Sequence, residues 1–241
     1  LHASSPIIMS TPDNLDVLYE DNHLMAVNKR AGDLVQGDQT GDLPLGEHIK
    51  SFIKKRDHKP GAVYLGVPHR LDRPTTGLVV YAKSSKALPR LNKLFAEKQA
   101  KKTYWAIVKH APQNPSGELI HYLVRNTKQN KSYAHIKPVG DSKLASLSYK
   151  TLVKLDNYTL LEIDLHTGRH HQIRAQLAAL GSPIKGDLKY GFDRSNPDGS
   201  ISLHARSLAF IHPVQQKPLM ITAPVPKDSL WQAFAQVLQT D

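Results

Sequence analysis

The chain has 241 residues, a formal net charge of +11 and a sequence pI of about 9.7. Hydrophobic residues make up 40% of it, enough to bury a real core, and the excess of Lys and Arg favours a polyanionic partner. Cys is absent, which excludes disulfides, thiolate zinc sites and Cys nucleophiles, and no apolar run is long enough to span a bilayer; a cytoplasmic, monomeric protein is the expectation.

Residues 1–15 read as a loose tail and 16–241 as one domain. Asp16–Glu20 and His23–Asn28 alternate apolar and polar around Asp21-Asn22, a hairpin signal. Leu45, Ile49, Phe52 and Ile53 have helical spacing and end in Lys54-Lys55-Arg56. His69 to Gly77 is too charged and turn-rich for a core strand and reads as an ordered loop entering a strand at Leu78–Ala82. Ser84 or Ser85 can cap a helix carrying Leu88, Leu91, Leu94 and Phe95. Strands are expected at Thr103–Val108, Glu118–Leu123, Ser132–Lys137, Leu147–Val153 and Thr159–Leu165. Arg169–Leu180 reads as a helix with Ile173, Leu177 and Leu180 as its stripe. Strands near Leu203–Phe210 and Leu219–Thr222 follow, then a helix at Ser229–Leu238 with Leu230, Phe234, Val237 and Leu238 inward. Strands outnumber helices without regular alternation, so the class is α+β with a mostly antiparallel sheet.

Three segments concentrate Arg, His and Asp. In His69-Arg70-Leu71-Asp72-Arg73 a carboxylate lies between two arginines, which favours its ionised, nucleophilic form; a surface ion-pair cluster is the competing reading. His166-Thr167-Gly168-Arg169-His170-His171-Gln172-Ile173-Arg174 opens a helix, where backbone donors favour anions. His166 and His170 have zincin spacing, but Gly168 interrupts them and no Glu follows His166, so a metal is not expected. Gly181 to Gly191 is a constrained loop that reads as structural when taken alone, as does Tyr104 beside Trp105.

Taken together these segments resemble the RluA-type pseudouridine synthases. His69 to Leu78 is similar to the family's His-Arg-Leu-Asp-Arg-x-Thr-Ser-Gly-Leu motif, and Thr167 to Arg174 to its Thr-Gly-Arg-x-His-Gln-Ile-Arg motif. Thr103-Tyr104, Gly181-x-Pro183 through Gly186-Asp187, Tyr190-Gly191, His204-Ala205 and His212-Pro213 extend the match. Lys29-Arg30 departs from the usual Lys-Pro, Leu34 to Gly37 lacks a His often found there, and Thr76 replaces Ser.

The resemblance implies a bent mixed sheet flanked by helices, a central cleft, and no cofactor or metal. It implies that Asp72 is the essential carboxylate, Tyr104 stacks on the target uracil and Arg174 orients Asp72. Arg70 would fill the gap left by the flipped base, with His69, Arg73, Arg169 and Lys102 also on the RNA. Lys54, Lys55, Arg56, Lys98, Lys101, Arg125, Lys128 and Lys131 are further candidates for its backbone. The implied substrate is ribosomal RNA, with transfer RNA second. Competing classes are a non-catalytic RNA-binding protein on this scaffold and a glycosidase using Asp164 or Asp187 as a second carboxylate.

Overall fold

The computed structural model describes residues 8–241. In chain order its elements are β1 (Val17–Glu20), β2 (Leu24–Lys29), α1 (Leu45–Arg56), β3 (Thr76–Ala82), α2 (Ala87–Ala96), β4 (Lys101–Val108), β5 (Ser116–Asn126), β6 (Lys131–His135), β7 (Lys143–Lys154), β8 (Thr159–Leu165), α3 (Gln172–Ala179), β9 (Leu203–Ile211), β10 (Pro218–Thr222) and α4 (Ser229–Leu238), with a single 3-10 turn at Leu188–Tyr190. This is an α+β chain, as expected. It forms two compact units. The first comprises the described residues up to Ala100 together with Ala205–Pro224; the second comprises Lys101–His204 and Val225–Asp241.

In the first unit β1, β2 and β3 pair antiparallel. Leu24-Met25-Ala26-Val27 and Leu78-Val79-Val80-Tyr81 are continuous apolar runs and are buried, as strands covered on both faces must be. Helix α1 contributes Leu45, Ile49 and Ile53, and α2 contributes Ala87, Leu91 and Leu94. Ser84 Oγ accepts the Ala87 N–H at 3.2 Å ahead of α2. The turn between β1 and β2 is set by Asp21, whose Oδ1 accepts the N–H groups of His23 and Leu24. His212 holds that turn: its Nδ1 accepts from Val214 and Gln215, so its proton sits on Nε2 and is donated to Asp21 Oδ2 at 2.7 Å.

The start of the chain differs from expectation. Residues 1–7 of the expected tail lie outside the described residues. Ser10, within the same expected tail, is buried: its N–H and Oγ–H both donate to Asp33, at 2.8 and 2.6 Å. Arg30 then donates to Ser10 Oγ, to the Asn14 side chain and to the Asn14 carbonyl.

In the second unit five strands pair antiparallel in the order β4-β8-β7-β5-β6. Helix α3 covers one face, where Ile173 and Leu177 meet Ala106, Leu119, Leu147, Leu161 and Ile163. Helix α4 covers part of the other, packing Trp231 and Phe234 on Trp105, Ile107, Val153 and Leu160. Leu180 and Val237, expected inward, are exposed: α3 ends before Leu180, and in the last turn of α4 Leu238 rather than Val237 packs on the core.

Gly77 closes the loop before β3 with φ +116°, and a Cβ there would land on the backbone of Ala205 in β9. Gly77→Ala is expected to destabilise the protein by about 3 kcal/mol or more in urea unfolding, with Gly41→Ala, where nothing lies within reach of a Cβ, costing less.

Candidate active site

The site residues of the first unit sit on the segment His69 to Thr75. His69 Nε2 accepts the Val80 N–H at 2.9 Å and its ring lies 5.0 Å from that of Phe95. Leu71 is buried. In an extended segment these two inward residues leave Arg70 exposed and Asp72 half-buried on the alternate side. Arg70 donates to Gln36 Oε1 at 2.5 Å. Arg73 is held by the protein itself: its N-ε–H donates to the Gly32 carbonyl, its own carbonyl accepts from Gly32 N–H, and its terminal nitrogens reach Asp38 and Asp42.

Beneath this segment lies Lys29, 1% exposed. Its ammonium donates to the carbonyls of Arg30, Arg73 and Thr75 at 2.9, 2.8 and 2.7 Å. Three acceptors match the three N–H donors of the charged form. Burial pushes the Lys29 pKa down to about 7, while Asp33 and Asp72 favour the charged state. That attraction is mutual, so the ammonium also favours an ionised Asp72. The Thr75 N–H closes a turn on the Asp72 carbonyl at 3.0 Å.

Tyr104, Lys102, Arg169 and Arg174 lie in the second unit. Tyr104 is half-buried on β4, on the α3 side of the sheet. Lys102 is half-buried and desolvation lowers its pKa. Thr167 and Gln172 shape the approach to α3: Thr167 Oγ–H donates to Gln172 Oε1, which also accepts the Arg169 N–H, and Gln172 Nε2 donates to Ser146 O. Arg169 Nε donates to Leu144 O. The helix begins three residues later than expected because His171 has φ +53°.

Arg174 makes a forked, buried pair with Asp187, Nε to Oδ2 and Nη2 to Oδ1, both at 2.8 Å. Its Nη1 lies 3.3 Å from His171 Nε2, and its guanidinium lies 5.1 Å from the Tyr190 ring centre. A guanidinium only donates, so His171 Nε2 carries the lone pair and Nδ1 the proton, which goes to Tyr190 Oη at 3.0 Å. Tyr190 Oη also accepts the Ser132 N–H. The pairing of Asp187 with Arg174, and the places of His171 and Tyr190 beside it, are not legible from the residues alone, since these partners are set by the fold. Among the described residues no group of His, Asp and Glu could hold a metal. His166 bonds to Ser146 and Ser148, and His170 to Ser132 and Asn130. Of the two carboxylates considered for a glycosidase, Asp187 is engaged by Arg174 and Asp164 is half-buried, 3.7 Å from His166 Nε2.

Burial, then Arg174, hold His171 far below the usual imidazole range, at about 2. Below about pH 6.5 the unfolded chain takes up a proton that folded His171 refuses, so stability falls with pH by up to about 1.4 kcal/mol per unit from this group. His171→Asn, which tolerates the left-handed backbone, should show a shallower acid slope than wild type between about pH 5 and 6.5 in chemical denaturation.

The model of the family "RNA pseudouridylate synthase" matches residues 23–179. The chain is 33% identical to the ribosomal large subunit pseudouridine synthase D of Xylella fastidiosa, over 89% of this chain and 67% of that one. It is 31% identical to the tRNA pseudouridine synthase C of Vibrio cholerae, over 91% of this chain and 94% of that one. The solved human RNA pseudouridylate synthase domain containing 4 shares its fold, with a TM-score of 0.75 and 24% identity over 93% of both chains. The chain belongs to the RNA pseudouridylate synthase family, isomerases that convert uridine in RNA to pseudouridine.

Proposed function

We propose that this chain isomerises a uridine of ribosomal RNA, with Asp72 as the catalytic carboxylate. The observation that carries the assignment of Asp72 is the Lys29 ammonium, which fixes the carbonyls of Arg73 and Thr75 and so the backbone on which Asp72 sits. The reaction breaks the bond from uracil nitrogen to the sugar, turns the base and joins carbon 5 to the sugar. Asp72 either attacks the sugar or promotes loss of the base by deprotonation, and both routes use its ionised form.

The remaining roles follow the family motif. Tyr104 stacks on the uracil, Arg174 supplies positive charge, and Arg70 occupies the space the flipped base leaves; flipping itself costs a few kcal/mol of unstacking. Gln36 supports the Arg70 role by holding an otherwise exposed side chain. The internal bonds of His69 and Arg73 support a positioning role for both, with contact to RNA through the loop they shape. Arg169 and Lys102 stay as RNA-contact candidates.

Ribosomal RNA is supported by the Xylella fastidiosa relative. Transfer RNA is the second reading, supported by the Vibrio cholerae relative, which is matched over 94% of its length. Single-turnover assay on transcribed ribosomal and transfer RNA separates them: pseudouridine is expected in the ribosomal transcript, and its formation in transfer RNA alone would reverse the order. Asp72→Asn is expected to slow pseudouridine formation by more than about a thousandfold while leaving RNA affinity within about twofold. Substantial residual formation by that variant would remove Asp72 from the catalytic role.

A further inference from the structure

The second unit carries a group of cations that the protein leaves unneutralised. Leu123 of β5 packs under α3 with Ala134 of β6 and Ala145 of β7. Side chains alternate along a strand. Arg125, two residues on from Leu123, and Lys143, which opposes Leu123, therefore point to the same α3-facing side. The two are diagonal neighbours across β5 and β7, about 7–8 Å apart at the backbone. Arg169 joins them: its Nε donates to the carbonyl of Leu144, next to Lys143, at 3.0 Å. All three residues are exposed. Neither Arg125 nor Lys143, nor either terminal nitrogen of Arg169, meets a carboxylate among the described residues. In the first unit, by contrast, Arg56 and Arg73 each pair with two carboxylates.

The β5–β6 hairpin that carries Arg125 is tied to the approach to α3. His170 Nδ1 lies 2.8 Å from Ser132 Oγ, and its Nε2 lies 3.1 Å from Asn130 Oδ1. Lys189 donates to the carbonyls of Gln129 and Asn130 in the hairpin turn and brings a further charge. Between Glu118 and Asp141 the sequence has Arg125, Lys128, Lys131 and Lys137 and no carboxylate. Glu118, one residue from Leu119, falls on the other face, and Asp141 lies in the turn before β7. Exposed, unpaired cations at this spacing suit successive phosphates of a nucleic-acid backbone.

We propose that Arg125, Lys143 and Arg169 bind backbone phosphates of the substrate RNA in a segment that flanks the target uridine. The proposal rests on the reading of this chain as an enzyme acting on RNA. Tyr104 lies on the same α3-facing side of this sheet. Register leads from Tyr104 to Ile163 and on to Tyr149, two strands across, and Lys143 lies further along β7 from there. The whole distance is roughly 20 Å, several nucleotides of single strand. An acidic protein would meet the same charges, but only RNA also has a base to place at Tyr104 on this face.

The test uses the full chain with a labelled oligouridylate as probe. Arg125→Gln combined with Lys143→Gln should weaken binding about tenfold at low salt and reduce the slope of log affinity against log salt by about 1.4. Both side chains are exposed and without a carboxylate partner, so the fold should be kept. Lys86→Gln combined with Lys93→Gln, the same change of charge on exposed positions at α2, should leave affinity and slope as in wild type. On an RNA that wild type modifies, the Arg125–Lys143 double variant should raise KM several-fold more than it lowers kcat. Wild-type affinity, salt slope and KM in that variant would overturn the proposal. So would an equal loss in the α2 double variant, which would make the effect one of net charge. Binding of oligoglutamate that needs Arg125 and Lys143, with oligouridylate binding indifferent to them, would give the patch to an acidic protein instead. If wild type forms no pseudouridine while the Arg125–Lys143 variant still loses salt slope, the enzymatic reading fails and the RNA-binding patch stands.

Discussion

A single buried ammonium organises the Asp72 segment of the first unit. Lys29 comes from the end of β2, and its carbonyl acceptors on Arg73 and Thr75 come from a loop more than forty residues later. Burying such a charge is costly unless every donor is matched, and here three donors meet three carbonyls. The loop is thereby fixed through its backbone carbonyls. Gly77 makes the same loop end against Ala205 with no room for a side chain, and the Gly32–Arg73 exchange of hydrogen bonds holds its middle.

The second unit uses a different device for the same end. Arg174 is fixed by the Asp187 fork and by a histidine that burial keeps neutral. A protonated His171 would face the guanidinium with a like charge, so the depressed pKa and the hydrogen-bond pattern describe one arrangement. The left-handed backbone of His171 and the late start of α3 follow from aiming that ring at both Arg174 and Tyr190. Breaking the buried Arg174–Asp187 pair from either side would leave an uncompensated charge, a loss of about 3–5 kcal/mol.

Much of this was legible in the sequence. β8 and α4 fall where their spacing places them, and the charged stretch before β3 is the ordered loop that its turn residues predict. The chemistry-bearing motifs pointed to Asp72 and Arg174 because residue type and order survive without coordinates. What was hidden depends on partners far apart in the chain. Nothing local marks Lys29 as buried, Asp187 as the mate of Arg174, or Ser10 as anchored on Asp33. Helical periodicity likewise overran the true start of α3, since one residue at positive φ leaves no trace in an apolar pattern.

The dependence of the Asp72 loop on Lys29 is most directly measured by hydrogen–deuterium exchange across Arg70 to Gly77 in Lys29→Met, alongside pseudouridine formation and RNA binding. Removing the ammonium should speed exchange in this loop, at Thr75 N–H above all, and lower turnover while RNA affinity is kept. Unchanged exchange and unchanged turnover in the variant would contradict a loop held by Lys29.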